Sequence, residues 1–331
     1  MKILKIILFI VLGLVVIGAI LVFTAPTTVK VEESKVIDAP KPLVFKHIRY
    51  LEKQHAWNPW NELDPGQQVT FSGDEDGTPG YKYEWVGEVN GKGYQQLVSL
   101  DENSVEQDLV FIEPWESKSK VFFTVEEVEE GTKVTWAMDA EMPAPMNAVM
   151  LFTDMGMSSD FQKGLNNLED IEKKKKNNPE YRGYAINQVE IEPVRFLGVR
   201  EVVSMDEMQD FYGNSYGELA KKLGAFELTR PSGIYYSWEV ENNRTDMMAA
   251  MAAPENAPAM LFDDIRLSGK ALQVEVVGSY DQLEDAHWAL DEYIQDFGVT
   301  MKFPVWEEYV TDPMSEKDTS KWLTKVTYFI E

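Results

Sequence analysis

The first 23 residues are set apart by an unbroken stretch of apolar residues and glycine, 18 long, from Ile6 to Phe23, with Lys2 and Lys5 ahead of it. That is about the length needed to cross a bilayer's hydrocarbon core, and it exceeds the roughly 7–15 apolar residues of a cleaved signal. Residues 1–28 are therefore expected to hold an uncleaved transmembrane helix, contacting the membrane through residues 6–23. Lys30 and Lys35 behind the run are offset by Glu32 and Glu33. The balance of basic residues puts a cell-membrane protein's N-terminus in the cytoplasm and its domains outside.

Beyond the run, the period of the pattern alternates between that of strands and that of helices. Thr28 to Ile37 alternates as a strand, and Val44, Phe45, Ile48 and Leu51 then mark a helix opened by Pro40 and Pro42. Turn residues at Gly73, Gly80, Gly91, Gly93, Pro114 and Gly131 cut the next hundred positions into strand-length pieces. The strands expected are Tyr81 to Val89, Gly93 to Leu100, Ser104 to Ile112, Ser119 to Val128 and Thr132 to Ala140. Phe161, Leu165, Leu168 and Ile171 line one face of a terminal helix that ends in four lysines, Lys173 to Lys176. Asp74-Glu75-Asp76-Gly77 lacks the later bidentate acid of a calcium loop and reads as a solvated turn.

A charged, proline-containing stretch at 177–185 separates this first domain, 29–176, from a second at 186–331. The second domain states one pattern twice. The first copy is a strand from Val189 to Val202, Ser204-x-x-Glu207 at capping-box spacing, a helix carrying Met208, Phe211, Tyr216, Leu219 and Leu223 up to Gly224, then a strand from Gly233 to Trp238. The second copy is a strand from Gly269 to Val277, Asp281-x-x-Glu284, a helix carrying Leu283, Trp288, Leu290, Ile294 and Phe297 up to Gly298, then a strand through Trp306. Two units that must each cover an apolar sheet face predict an α+β, pseudo-twofold domain with a groove between its halves.

Near the end, Pro304 to Val310 alternates so that Val305, Glu307 and Tyr309 share one face while Trp306, Glu308 and Val310 share the other. One carboxylate must then face inward, which is costly unless a cation meets it or it keeps its proton. The alternative is an edge strand whose acid is in water.

Composition narrows the chemistry. With 31 Lys and Arg against 56 Asp and Glu, the chain carries a net charge of −25, which repels phosphate backbones and argues against nucleic acid as a partner. Absence of cysteine removes disulfides and thiolate chemistry, and three scattered histidines, His47, His55 and His287, suggest no metal site. No cofactor or metal is expected.

Two resemblances organise these elements. Ile37-Asp38-Ala39-Pro40 with Val44-Phe45, Trp57-Asn58-Pro59-Trp60, Tyr83-Glu84-Trp85, Thr132 to Trp136 and Asp160 to Leu165 resemble the polyketide-cyclase branch of the START-like (SRPBCC) superfamily. That resemblance implies a curved sheet gripping a long terminal helix around an apolar cavity, but no fixed catalytic set. Trp57, Trp60, Trp85, Trp115 and Trp136 could line such a cavity or simply form core.

The closing Glu307-x-Tyr309-x-x-Asp312-Pro313, the opening strand Ile191 to Arg200 and the turn Gly278 to Leu283 resemble the gyrase-inhibitor-like, AraC-type effector-binding fold. It departs from the family's usual His-x-Gly-Pro-Tyr turn, keeping only Gly and Tyr. This resemblance implies that Glu307 lies in an aromatic pocket, with Tyr216, Tyr235, Trp238, Trp288 and Tyr309 as candidate rings, and that the ligand is small, amphipathic and cationic. The function expected is a membrane-anchored sensor or carrier. The alternative is a hydrolase of strained or electrophilic molecules, with Glu307 as base and Tyr309 or Tyr235 beside it.

Overall fold

The computed structural model describes residues 2–114, 116–141, 144–145, 147–148, 154–311, 313 and 316–331, with the side chains of 2–8 and 154–156 left out. Trp115 and Asp312 lie outside the described residues. The chain is a mixed α+β protein of two compact units, Met1–Lys176 and Asn177–Glu331.

In the first unit, helix α1 (Lys2–Thr24) carries the apolar run. Among the described residues no helix is long and apolar enough to cross a membrane, so the transmembrane helix expected over residues 6–23 is not supported. The described side chains of the run face outward, Phe9 at 71% and Phe23 at 88% exposure. Strand β1 (Thr28–Ile37) leads to α2 (Lys41–Arg49) and α3 (Leu51–Trp57). The single helix expected here breaks at Tyr50, whose backbone is extended, and Leu43, Val44, Ile48 and Leu51 are the residues it buries. Asp76 explains the restart: its carboxylate accepts from the backbone N–H groups of Leu51 (2.8 Å) and Glu52 (3.1 Å). The acidic turn is thus in part a cap for α3.

Strands β2 (Gln68–Ser72), β3 (Lys82–Val86), β4 (Lys92–Leu100), β5 (Ser104–Glu113), β6 (Ser117–Val128) and β7 (Gly131–Glu141) complete a seven-stranded antiparallel sheet of order β1-β7-β6-β5-β4-β3-β2. β2 escapes the sequence pattern because Val69 and Phe71, its only large apolar residues, are just half-buried. Helix α4 (Asp154–Asn177) buries Phe161, Leu165 and Leu168. Its next buried position is Glu172, not Ile171, because 161, 165, 168 and 172 keep the helical period. Glu172 meets the His47 ring at 2.8 Å. Trp136 of β7 stacks on Phe161 of α4, centroids 4.1 Å apart.

The second unit opens with a small hairpin inside the expected linker, β8 (Glu180–Tyr181) and β9 (Tyr184–Ala185), pinned by buried Tyr181 donating to Asp296 Oδ2 at 2.9 Å. Two strand-helix-strand-strand repeats follow. The first is β10 (Asn187–Ser204), α5 (Met208–Leu223), β11 (Thr229–Glu239) and β12 (Arg244–Ala252). The second is β13 (Asp263–Val277), α6 (Leu283–Phe297), β14 (Met301–Tyr309) and β15 (Leu323–Ile330). They close into a barrel of order β10-β12-β11-β14-β15-β13, joined by the β10–β13 and β11–β14 seams.

Neither expected capping box forms: each helix is preceded by a 3₁₀ turn, Met205–Glu207 or Tyr280–Gln282, with no side-chain cap bond. Gly298 ends α6 in the left-handed conformation (φ 61°), whereas Gly224 after α5 stays right-handed (φ −64°).

Candidate functional site

Closure of the barrel buries both faces of β14. Val305 packs with the α6 residues Ala286, Ala289 and Leu290, while Trp306 packs on the opposite face with Phe196, Ile234 and Met248. Glu307 shares the helix-covered face, and only 4% of it is exposed. Glu308, on the other face, is half-buried and lies 3.6 Å from Arg230. The strand register sets Glu307 between Gly233 of β11 and Val326 of β15.

Glu307 is the hub of a hydrogen-bond network. Tyr309 Oη donates to its Oε2 at 2.7 Å, and Tyr235 Oη donates to the same oxygen at 3.2 Å. His287 Nε2 lies 2.8 Å from Oε1, and His287 Nδ1 lies 3.0 Å from Tyr328 Oη. Tyr212 Oη closes the cluster, 2.7 Å from Tyr235 Oη and 3.0 Å from Tyr309 Oη. Each phenol has one proton. When Tyr309 and Tyr235 give theirs to Glu307, Tyr212 donates to one of them, so every donor finds an acceptor.

Burial, and after it the Glu307 charge, hold Tyr235 and Tyr309 well above the ordinary phenol range. Burial does the same for Tyr212, Tyr216 and Tyr328. These phenols are donors across ordinary pH, suited to holding a carboxylate and unsuited to acting as bases.

The network forms the floor of a groove of about 760 Å³, walled by Met208, Tyr216, Trp238, Tyr280, Leu283 and Trp288 among others. Among the described residues no Lys or Arg lines it. Tyr216 stacks on Tyr212 (5.6 Å, 23°), and its hydroxyl donates to Ser232 O at 3.0 Å. Trp238 stacks on Tyr235 (4.9 Å, 24°) and meets the His287 ring edge-on. Trp288 stands at the rim, 51% exposed, with the Arg182 guanidinium 6.0 Å from its ring.

All six expected site residues thus line one groove. His287, Tyr212, Tyr328 and Gly233 were not expected there. Gly233 faces the cluster because a Cβ at that position would run into Tyr212 Oη. A signal for His287 did exist: Glu284, His287 and Asp291 form a titratable stripe at helical spacing beside the apolar face of α6. Asp291 also lines the groove, and burial pushes its carboxyl up, opposed by His287. Among the described residues no cluster of His, Asp and Glu could hold a metal ion.

Comparison with known proteins reflects this two-part plan. None of the curated proteins compared with it matches this chain. Among solved structures it is similar to protein CV1439 from Chromobacterium violaceum, at 16% identity over 44% of this chain and 97% of that one, TM-score 0.34. Similarity to the C-terminal domain of EcmrR is 19% identity over 45% and 98%, TM-score 0.38. Similarity to Ara h 8.0201 is 16% identity over 44% and 99%, TM-score 0.33. Residues 28–171 match the family described as polyketide cyclase / dehydrase and lipid transport. Residues 184–328 match the family described as a GyrI-like small molecule binding domain. The two halves of the chain thus match, in that order, a polyketide-cyclase-type, SRPBCC-like family and a GyrI-like small-molecule-binding family.

Proposed function

We propose that this protein is a membrane-anchored sensor or carrier whose C-terminal groove binds a small amphipathic cation, with Glu307 as its counter-charge. The observation that carries the proposal is a buried carboxylate, Glu307, on the floor of an aromatic groove whose lining also holds the acids Glu284 and Asp291 and, among the described residues, no Lys or Arg. Rings attract a cation by their quadrupoles while excluding water, which strengthens the carboxylate's pull. Both oxygens of Glu307 already accept from protein donors. That favours a fixed charge over a base free to take a proton from water, and so favours binding over hydrolysis.

Anchoring through residues 6–23 is supported by the outward-facing apolar side chains of α1. The lysines before the run favour a cytoplasmic N-terminus, with both domains on the far side of the membrane. The full chain should sediment with membranes, and a chain beginning at Thr24 should not. The cavity of about 470 Å³ in the first domain, walled by Trp60, Trp85, Trp136 and Phe161, offers space for a second apolar ligand.

The deciding experiment is Glu307→Gln, titrated with tetraphenylphosphonium and with uncharged triphenylphosphine oxide. Cation binding should weaken by about 2–5 kcal/mol, the usual loss when one partner of a buried charge pair is removed. The neutral compound should change far less. Equal effects on both compounds would reject Glu307 as a counter-charge. Intact binding with lost turnover of an electrophilic substrate would favour the hydrolase.

A further inference from the structure

Glu307 has one neighbour that can itself become a cation. His287 comes from α6, packed against the face of β14 that carries Glu307, and its ring touches acid on one side and phenol on the other. Imidazole is the side chain that changes charge between about pH 5 and 8. The two contacts suit both of its states. Neutral, it donates from Nε2 to Glu307 Oε1 and accepts the Tyr328 phenol proton at Nδ1. Protonated, it still donates to Glu307 and now donates from Nδ1 to Tyr328 Oη. The site can gain or lose one positive charge without moving a ring.

We infer that His287 is the specificity-determining residue of the groove. With the ring neutral, Glu307 is an uncompensated anion and the groove selects a cationic amphiphile. With the ring protonated, the pair is electrically closed and the groove selects a neutral aromatic molecule of the same shape. This rests on the binding function proposed above and adds the rule by which ligand charge is chosen. A bound cation and an imidazolium would share one carboxylate in a partly dry space, so binding the first expels the proton from the second.

Other titratable groups face the same ring. They are Glu307 and Tyr309 from β14, Tyr328 from β15, Tyr235 from β11, Tyr212 from α5, and Glu284 and Asp291 from α6 itself. The phenols stay protonated in this range because burial holds them up. Asp291, whose carboxyl burial also raises, is the competing candidate, and the test must separate it from His287.

The full-length protein in detergent would be titrated calorimetrically with tetraphenylphosphonium and with triphenylphosphine oxide between pH 5 and 8.5. On the acid side, cation affinity should rise about tenfold per pH unit, the limit for release of one proton, and then level off. Buffers of different ionisation enthalpy should report proton release with the cation wherever its affinity rises with pH, and none with the neutral compound. His287→Gln keeps a donor for Glu307 but takes no proton, so cation affinity should become flat with pH.

A slope that persists in His287→Gln would assign the effect to Asp291 and overturn the inference. So would pH-independent cation binding without proton release in the unaltered protein, although the binding function itself would stand. Failure of the cation to bind at any pH would remove both.

Discussion

Two hollows among the described residues, one in each domain, are built from similar rings and differ in their polar groups. In the first domain the polar lining is mostly amide, and the amides hold one another. Asn90 donates to Gln67 Oε1 at 2.9 Å, Gln67 donates to Asn61 Oδ1 at 2.7 Å, and Asn58 donates to Tyr83 Oη at 3.0 Å. Its two lining acids are placed differently: Glu141 is exposed, and half-buried Asp160 accepts from Trp60 Nε1 at 3.2 Å. In the second domain one buried acid gathers three donors. A lining of paired amides selects by shape, because the amide dipoles are already answered, leaving the Trp136 indole N–H as a buried donor without a partner among the described residues. A lining organised on one charge selects by charge, and inherits a dependence on protons from the imidazole beside it.

The largest expected effect tests how much the first hollow depends on its rings. Trp136 stacks on Phe161 and meets Trp57, Trp60 and Phe123. Trp136→Ala should cost about 3–5 kcal/mol, as large aromatic deletions do. Hydrogen exchange should quicken across residues 28–171 and hold across 184–328. Equal acceleration in both segments would mean that the two units do not fold separately.

A smaller effect sharpens the picture of the second hollow. Gly233→Ala should cost about 1–3 kcal/mol by overpacking and should displace the Tyr212 hydroxyl and crowd that of Tyr309. Cation affinity should fall as the phenols around Glu307 shift. Unchanged affinity would show that the phenol cluster adds nothing to the carboxylate's hold.

The smallest effect at neutral pH appears only in alkali. Five groove phenols have folded-state pKa values raised by burial, whereas in the unfolded chain a phenol ionises near about 10. Their contribution to stability is complete below that value. It is lost as pH rises from there toward the folded values, because the unfolded chain can shed protons that the folded one keeps. Around the first hollow, burial raises Tyr83 and also takes Tyr81 to about 12. The second domain should therefore unfold first in alkali, with tyrosinate absorbance rising together with its exchange. Ionisation that precedes any loss of structure would contradict that assignment.

Glu307 was legible in the sequence because an acid interrupts an alternating strand that has to be covered, and because the strand-helix-strand-strand plan repeats. Strand β12 was not, since Met247, Met248, Ala249 and Ala250 are all buried and a strand covered on both faces shows no alternation. Glu172 was hidden by Ile171, the apolar neighbour that draws the eye one residue off the true helical period. His287 was missed for a different reason. Its role depends on which strand α6 lies against, a long-range fact that local spacing does not carry. Trp288, large and aromatic, lies beside His287 in sequence and reaches only the rim.

The closed barrel has one more consequence. In its pairing, Asn187 lies across from Gln273, and Gln273 lies across from Thr327. The entry of the first repeat and the exit of the second are therefore two strand spacings apart, roughly 10 Å. Along the chain the two repeats are connected by the loop between β12 and β13, whose tip, Met260 and Leu261, is exposed. Neither repeat has a structural claim to come first. The second domain taken alone and opened at that tip, with Asn187 and Ile330 joined by a few residues of glycine and serine, would run second repeat then first while keeping the same strand neighbours.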